Sequence, residues 1–190
     1  EEIKAAGKIA NYGVSVEKVE EALKAIEYPG VVSVQIIYNI FRQRPAALFF
    51  KEAARRHVAV IARVPLASGL LSGKITRETA FAADDHRNFN RNGDAFDVGE
   101  TFAGVPFETG LQAVDEIRAL VPASQTMAAF ALRWILMAEA VSVVIPGARN
   151  GEQAKANAAA AGLPAIPENV MEATREIYYR LVAPHVHDRW

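Results

Sequence analysis

Val58-Ala59-Val60-Ile61-Ala62-Arg63-Val64-Pro65-Leu66-Ala67-Ser68-Gly69-Leu70-Leu71-Ser72-Gly73-Lys74 is the stretch on which the fold turns. Residues 58–64 are apolar and β-branched with no clean polar alternation, as in a strand buried on both faces, which favours a parallel sheet. The run breaks at Pro65 into a turn carrying Gly69 and Gly73 and closing on Lys74. Glycines there let backbone N–H groups approach a phosphate closely, and Lys74 offers charge. A plain glycine-bearing turn with a solvated lysine is the rival reading. A Walker P-loop is not: Ser68 stands where its first glycine belongs, and Ile75 where its hydroxyl belongs.

Outward from this stretch, three more runs of the same kind lie at residues 9–15, 32–38 and 141–145. Helical spacing separates them. Residues 16–26 repeat apolar side chains behind Ser15 as a candidate N-cap, and residues 45–57 begin at Pro45, which suits a first helical turn. Residues 107–121 and 125–138 are two more helices, parted at Pro122. An Ala-rich helix covers 150–161, and a last one follows Pro167 to about Val182, before Pro184. The order β-α-β-α-β-(long loop, α, α)-β-α-α predicts right-handed βαβ crossovers and an α/β fold with four parallel strands and flanking helices. Four such units are half of a (β/α)8 barrel, which typically takes about 250 residues. The doubly wound alternative lacks its fingerprint, since no two glycines here are spaced Gly-x-Gly. Residues 66–106 exceed an ordinary βα connection, and loops of that length are usually lids or inserts.

The 190 residues suit one domain, with residues 163–190 as an extension beyond the Ala-rich helix. A hydrophobic content of 51% can build a core, and a net charge of −1 gives no reason to expect a nucleic-acid partner. Charged residues interrupt every apolar run before the ~20 residues of a membrane span. Cysteine is absent, which removes thiol chemistry and favours a cytoplasmic location. The chain opens Glu1-Glu2-Ile3 with neither an initiator Met nor a leader, so it reads as a segment of a longer protein.

A second phosphate-like signal is Ile145-Pro146-Gly147-Ala148-Arg149-Asn150, at the end of the fourth strand and opening a helix. Exposed N–H groups at a helix start bind anions, and Arg149 offers a planar bidentate contact. Gln153 and Asn157 share one face of that helix, able to read a purine edge. An ordinary helix start explains the same residues.

Taken in order, these stretches resemble the aldo-keto reductases. Gly7-Lys8-Ile9 through Tyr12-Gly13-Val14-Ser15 is similar to that family's GKIR-x-x-GVS strand, and Val34-Gln35 through Tyr38-Asn39 to its VQ-x-x-YN strand. Residues 60–74 resemble its PLA-x-G-x-L-x-GK loop, and residues 145–149 its last strand. The resemblance covers essentially the whole chain and implies the C-terminal half of a (β/α)8 barrel that binds NADP(H), or less often NAD(H). By position it implies that Ser15 and Gln35 hold the nicotinamide carboxamide. Val16 stands where many members have Asn. Arg63 stands where an aromatic ring often stacks. Backbone from Leu66 through Gly69 to Leu71, with Ser68 and Lys74, would hold the pyrophosphate. Gly147 and Arg149 would meet the 2′-phosphate, and Gln153 and Asn157 the adenine.

The family's catalytic Asp, Tyr, Lys and His belong to the other half of its barrel. None of Tyr12, Tyr28, Tyr38, Tyr178 and Tyr179 occupies the matching position, so no catalytic residue is assigned. The resemblance implies reduction of a carbonyl by hydride transfer, with this chain supplying the cofactor-binding half. The alternative is a non-catalytic nucleotide-binding or interaction half-barrel. Either would take as partner an N-terminal half or a second copy, through open sheet edges. No metal site is expected: His185, His187 and Asp188 read as a solvated tail, and Asp84-Asp85-His86 as loop. His57 reads as a helix end and Glu20-Glu21 as a solvated face.

Overall fold

The computed structural model describes all residues, Glu1 to Trp190. Four strands, β1 (Tyr12–Ser15), β2 (Val31–Ile37), β3 (Ala59–Arg63) and β4 (Val141–Val144), form one sheet in the order β1-β2-β3-β4. Every neighbouring pair is parallel, as the alternation of strand and helix requires. A short helix, α1 (Glu2–Ala5), precedes β1, and residues 9–11 lie outside that strand, which is shorter than the apolar run.

Only one face of the sheet is fully covered, which corrects the expectation of burial on both. Val34 and Ile36 of β2 and Val60 and Ala62 of β3 are at most 1% exposed. They belong to one continuous core with α2 (Val19–Ala25), α3 (Phe49–Arg55) and α6 (Met127–Leu136), which α5 (Phe107–Arg118) also joins. On the other face the register aligns Ser15 with Gln35, Gln35 with Ile61, and Ile61 with Val143. Val143 is 43% exposed, so this row remains open. The missing polar alternation reflects apolar residues on an open face, not a second buried one.

Close approach of β1 and β2 depends on Gly13, where a Cβ would fall 2.5 Å from the Ser33 carbonyl oxygen. Backbone cannot yield as a side chain can, so Gly13→Ala is expected to cost about 1–3 kcal/mol, the usual range for overpacking. Urea unfolding of the variant checks this, and an unchanged midpoint means the strands can part at no cost.

Helix boundaries differ from the expected ones for local reasons. Ser15 is in β1 and caps nothing. Glu21 fixes the start of α2 by accepting from the N–H groups of Glu17 (2.9 Å) and Lys18 (3.0 Å), and Glu20 pairs with Arg44, so neither is merely solvated. Residues 45–57 divide into a 3-10 turn, Arg44–Ala46, and α3, with His57 beyond the helix end at φ 55°. After α7 (Gly151–Ala159), α8 (Glu168–Ile177) continues through a π turn, Tyr178–Val182, into α9 (Ala183–Val186). The chain thus stays helical through Pro184, because the wider π turn precedes the residue that lacks an N–H.

The long loop is packed, not slack. Asn90, fully buried, accepts from the N–H groups of Ala95 and Phe96 (2.9 Å each) and donates to Thr101 Oγ1 (3.1 Å). Phe81, Phe102 and Phe107 stack beside it, with Arg87 4.5 Å from the Phe81 ring centre. One short helix, α4 (His86–Phe89), lies within it. No helix is long and apolar enough to cross a membrane.

Candidate functional site

A cavity of about 590 Å³ lies beyond the carboxyl ends of β3 and β4. Three segments wall it: Val64, Pro65, Leu66, Ser68 and Gly69 after β3; Pro146, Gly147 and Arg149 after β4; and His86, Arg87, Phe96 and Glu100 of the long loop. Ligands of parallel α/β sheets favour this end of the strands.

The turn after β3 is strained. Val64 (φ 50°), Ala67 (47°) and Ser68 (53°) are in the left-handed region, with Gly69 at 100°. Such residues cost on the order of 1–3 kcal/mol each and persist only where neighbours enforce them. Asn39, fully buried after β2, is one enforcer: its Nδ2 donates to the Val64 carbonyl at 2.8 Å, while its Oδ1 accepts from Phe41 N–H at 2.8 Å. Ser68 Oγ donates to the Glu100 carbonyl (3.1 Å) and accepts from Phe102 N–H (3.0 Å), tying the turn to the long loop.

On the opposite wall, Asn150 caps α7 by accepting from Gln153 N–H at 2.9 Å, so the helix start is partly satisfied internally. Gln153 Oε1 accepts from the Arg149 N–H (2.8 Å), and Asn157 Nδ2 donates to the Gly147 carbonyl (3.2 Å). These two amides brace the 147–149 turn and do not line the cavity. A Cβ on Gly147 would meet nothing within 4 Å, and the N–H groups of Gly147 and Ala148 donate to no backbone carbonyl. The space above this turn is therefore open to a ligand.

Arg87 is held by Asp85, whose oxygens also cap α4, and Glu100 pairs with Arg63. Arg87 holds the Asp85 carboxyl well below the usual carboxylate range. Asp85 thus serves a bridge instead of lying solvated. Arg149 forms no ion pair, so the cavity carries one unneutralised guanidinium. His86 adds a ring nitrogen 3.4 Å from Ser68 Oγ.

Below the cavity, Arg63 bridges Glu100 and Glu17, the latter at 3.1 Å, and donates to the Val16 carbonyl at 3.1 Å. Arg63 Nε and Glu17 Oε2 are buried without partners. Burial, with Glu100 beside it, pushes the Glu17 carboxyl up to about 7 against the opposing pull of Arg63. Glu17 then binds its proton more tightly folded than unfolded, so its stabilising contribution is complete below about pH 4.5 and lost as pH rises through 7. The melting temperature should therefore decline across that window, and Glu17→Gln should flatten the decline. An equal slope in both proteins excludes the cluster as its origin.

Of the residues singled out in the sequence, Leu66, Ser68, Gly69, Gly147 and Arg149 share the cavity. Ser15 and Gln35 meet each other, Nε2 to Oγ at 3.1 Å, on the open face of the sheet. Leu71 is fully buried in the core, and Lys74 is exposed outside the cavity. Asn39 closes the VQ-x-x-YN motif, though that motif gave it no role; His86, Arg87, Phe96 and Glu100 were not marked as site residues by any spacing. Only folding of the loop brings them in. His187, read as a tail residue, places Nδ1 2.8 Å from the buried Tyr178 hydroxyl.

The family model "Aldo/keto reductase family" matches residues 1–179. The chain is 28% identical over 153 residues to "Aldo-keto reductase YhdN" of Bacillus subtilis (strain 168), covering 80% of this chain and 44% of that protein. It is 25% identical over 173 residues to "Uncharacterized oxidoreductase YqkF" of the same organism, covering 91% and 51%. Among solved structures it is similar to the glycerol dehydrogenase AKR11B4 from Gluconobacter oxydans, with a TM-score of 0.72, 28% identity, and 98% and 53% of the two chains covered. The holo form of aldo-keto reductase AKR11C1 from Bacillus halodurans, at 21% identity and a TM-score of 0.68, shares the fold over 93% and 53%. The chain spans about half the length of the curated relatives it matches. With the family model matching residues 1–179, nearly its whole length, this chain belongs to the aldo/keto reductase family.

Proposed function

We propose that the chain is the cofactor-binding half of a (β/α)8 barrel and binds NADP(H) for reduction of a carbonyl to an alcohol. The observation that carries this reading is the unpaired Arg149 guanidinium beside the open Gly147 turn, facing the strained turn at Ser68 and Gly69. A dianionic phosphate is the ligand chemistry that an unneutralised guanidinium with free backbone N–H groups fits.

In this reading Arg149 and the N–H groups of 147 and 148 grip the 2′-phosphate, with Gln153 and Asn157 holding that turn in shape. The turn after β3 holds the pyrophosphate, and the long loop excludes water from above. Ser15 and Gln35, adjacent on β1 and β2, orient a carboxamide on the open face. When bound, the reduced nicotinamide supplies the hydride. A general acid must deliver the proton to the carbonyl oxygen. No Tyr or Lys lines the cavity, so neither a phenol nor an ammonium is at hand there; its imidazole and carboxyl groups are His86 and the Arg63-paired Glu100.

That gap favours a second reading, in which the chain binds nucleotide without chemistry of its own until paired. β1 and β4 each have one unpaired edge, and such edges invite a second four-stranded half, from another chain or a second copy. A fluorescence titration with NADPH and NADH, beside a carbonyl-reduction assay, separates these. Saturable binding with turnover supports the first reading, and binding without turnover the second. No binding of either nucleotide overturns both.

A further inference from the structure

Segment 97–104 reaches the cavity through Glu100, and a buried indole holds it from behind. Trp190 is 4% exposed. A Cβ on Gly99 would come within 2.8 Å of its Cε2, and one on Gly104 within 2.7 Å of its Cζ3. The two glycines thus leave a slot that the indole fills. Trp190 Nε1 donates to Asp97 Oδ1 at 3.0 Å, the oxygen that also accepts from Gly99 N–H at 2.7 Å. Arg42, itself buried, lies 4.2 Å from the indole ring centre and donates to the Ala103 carbonyl at 3.3 Å. Arg44 donates to the Trp190 carbonyl at 2.9 Å.

The segment needs such a restraint. Phe102 and Ala103 have φ of 53° and 58°, a conformation that side-chain-bearing residues adopt only when held. Beyond the segment the chain of contacts continues to the site: Glu100 meets Arg63, while its carbonyl and Phe102 N–H share Ser68 Oγ. We infer that Trp190 is a positioning residue for the nucleotide site, its indole fixing segment 97–104 and thereby holding Glu100 against Arg63 at the cavity wall. The effect on binding rests on the nucleotide reading given above; the placement of Glu100 does not.

The test compares Trp190→Ala with Trp190→Phe by two readouts, the carboxyl titration of Glu17 in the ligand-free protein by NMR and the NADPH dissociation constant. Glu17 faces Glu100 and Arg63, with the Arg42 charge further off. Once the slot is emptied, Glu100 no longer sits against Glu17, and the inflection near pH 7 should fall toward the ordinary carboxylate range. NADPH affinity should drop on the order of tenfold as the wall loses its preorganisation. Phe refills the slot and should preserve both. A purely structural loss would weaken binding without moving the inflection. Trp190→Leu carries the test should the Ala variant fail to fold. A folded Ala or Leu variant with unchanged inflection and affinity overturns the inference. Should the unaltered chain fail to bind NADPH, the functional reading falls, and the inflection alone decides the role of Trp190.

Discussion

Arg149→Glu is expected to weaken NADPH binding by about 100-fold or more, since hydrogen bonds to a charged partner contribute about 1.5–3 kcal/mol and the reversed charge adds repulsion. The expectation rests on Arg149 being the cavity's one ionic side chain without an ion-pair partner. It is also exposed, and its contact with Gln153 Oε1 is made by the backbone N–H, which any residue retains. Stability should therefore be nearly unaffected, so a lost affinity can be read as a lost contact. Arg149→Lys should fall between, because an ammonium keeps the charge but lacks the planar fork. NADH is the internal control: it has no 2′-phosphate, so its affinity should change far less. Equal losses for both nucleotides would move Arg149 to the pyrophosphate. No loss for either would remove the phosphate from this turn altogether.

Local pattern made the sheet legible. Four β-branched runs and the intervening helical spacing placed β2, β3 and β4 within a residue or two, and alternation of strand and helix made them parallel. The open face was not legible, because Ile61 and Val143 are as apolar as the core residues beside them in sequence. Apolar composition tells what a residue tolerates and not whether something covers it. The cavity was legible where it is built from continuous turns, at 66–69 and 147–149. It was illegible where it depends on the folded loop: Asn90 organises segment 95–101 by satisfying three polar groups from one buried amide, and an isolated Asn in a polar stretch carries no such signal. Arg63 shows the same limit. Its position was found by pattern, yet its bridge to Glu17 and Glu100 joins residues 46 and 37 positions away. Long-range charge pairing leaves no local spacing to read.

Trp134→Ala should be the most destabilising single change in the helical layer, at about 3–5 kcal/mol for the cavity left by a buried aromatic ring. Trp134 is 3% exposed, on the inward face of α6. Its ring centre lies 5.3 Å from that of Tyr38, just after β2, and its Nε1 donates to Thr174 Oγ1 of α8 at 2.8 Å. One side chain therefore joins the end of β2, α6 and α8, three elements far apart in sequence. Thr174 is fully buried and donates onward to the Met171 carbonyl at 2.7 Å, so removal of the indole leaves its oxygen short of a donor. For a chain of this size the loss corresponds to a melting temperature lower by roughly 10 °C or more. Trp134→Phe separates the two contributions: it keeps most of the filling and loses the hydrogen bond, and should cost about 1–2 kcal/mol. Thr174→Val measures that bond from its other end without opening a cavity. Calorimetry of the three variants decides. If Phe destabilises as much as Ala, the bond outweighs the packing, and α8 is held chiefly by its polar contact with α6. If Ala costs no more than Phe, the core closes around the missing ring, and the three-way junction is not where the fold is held together.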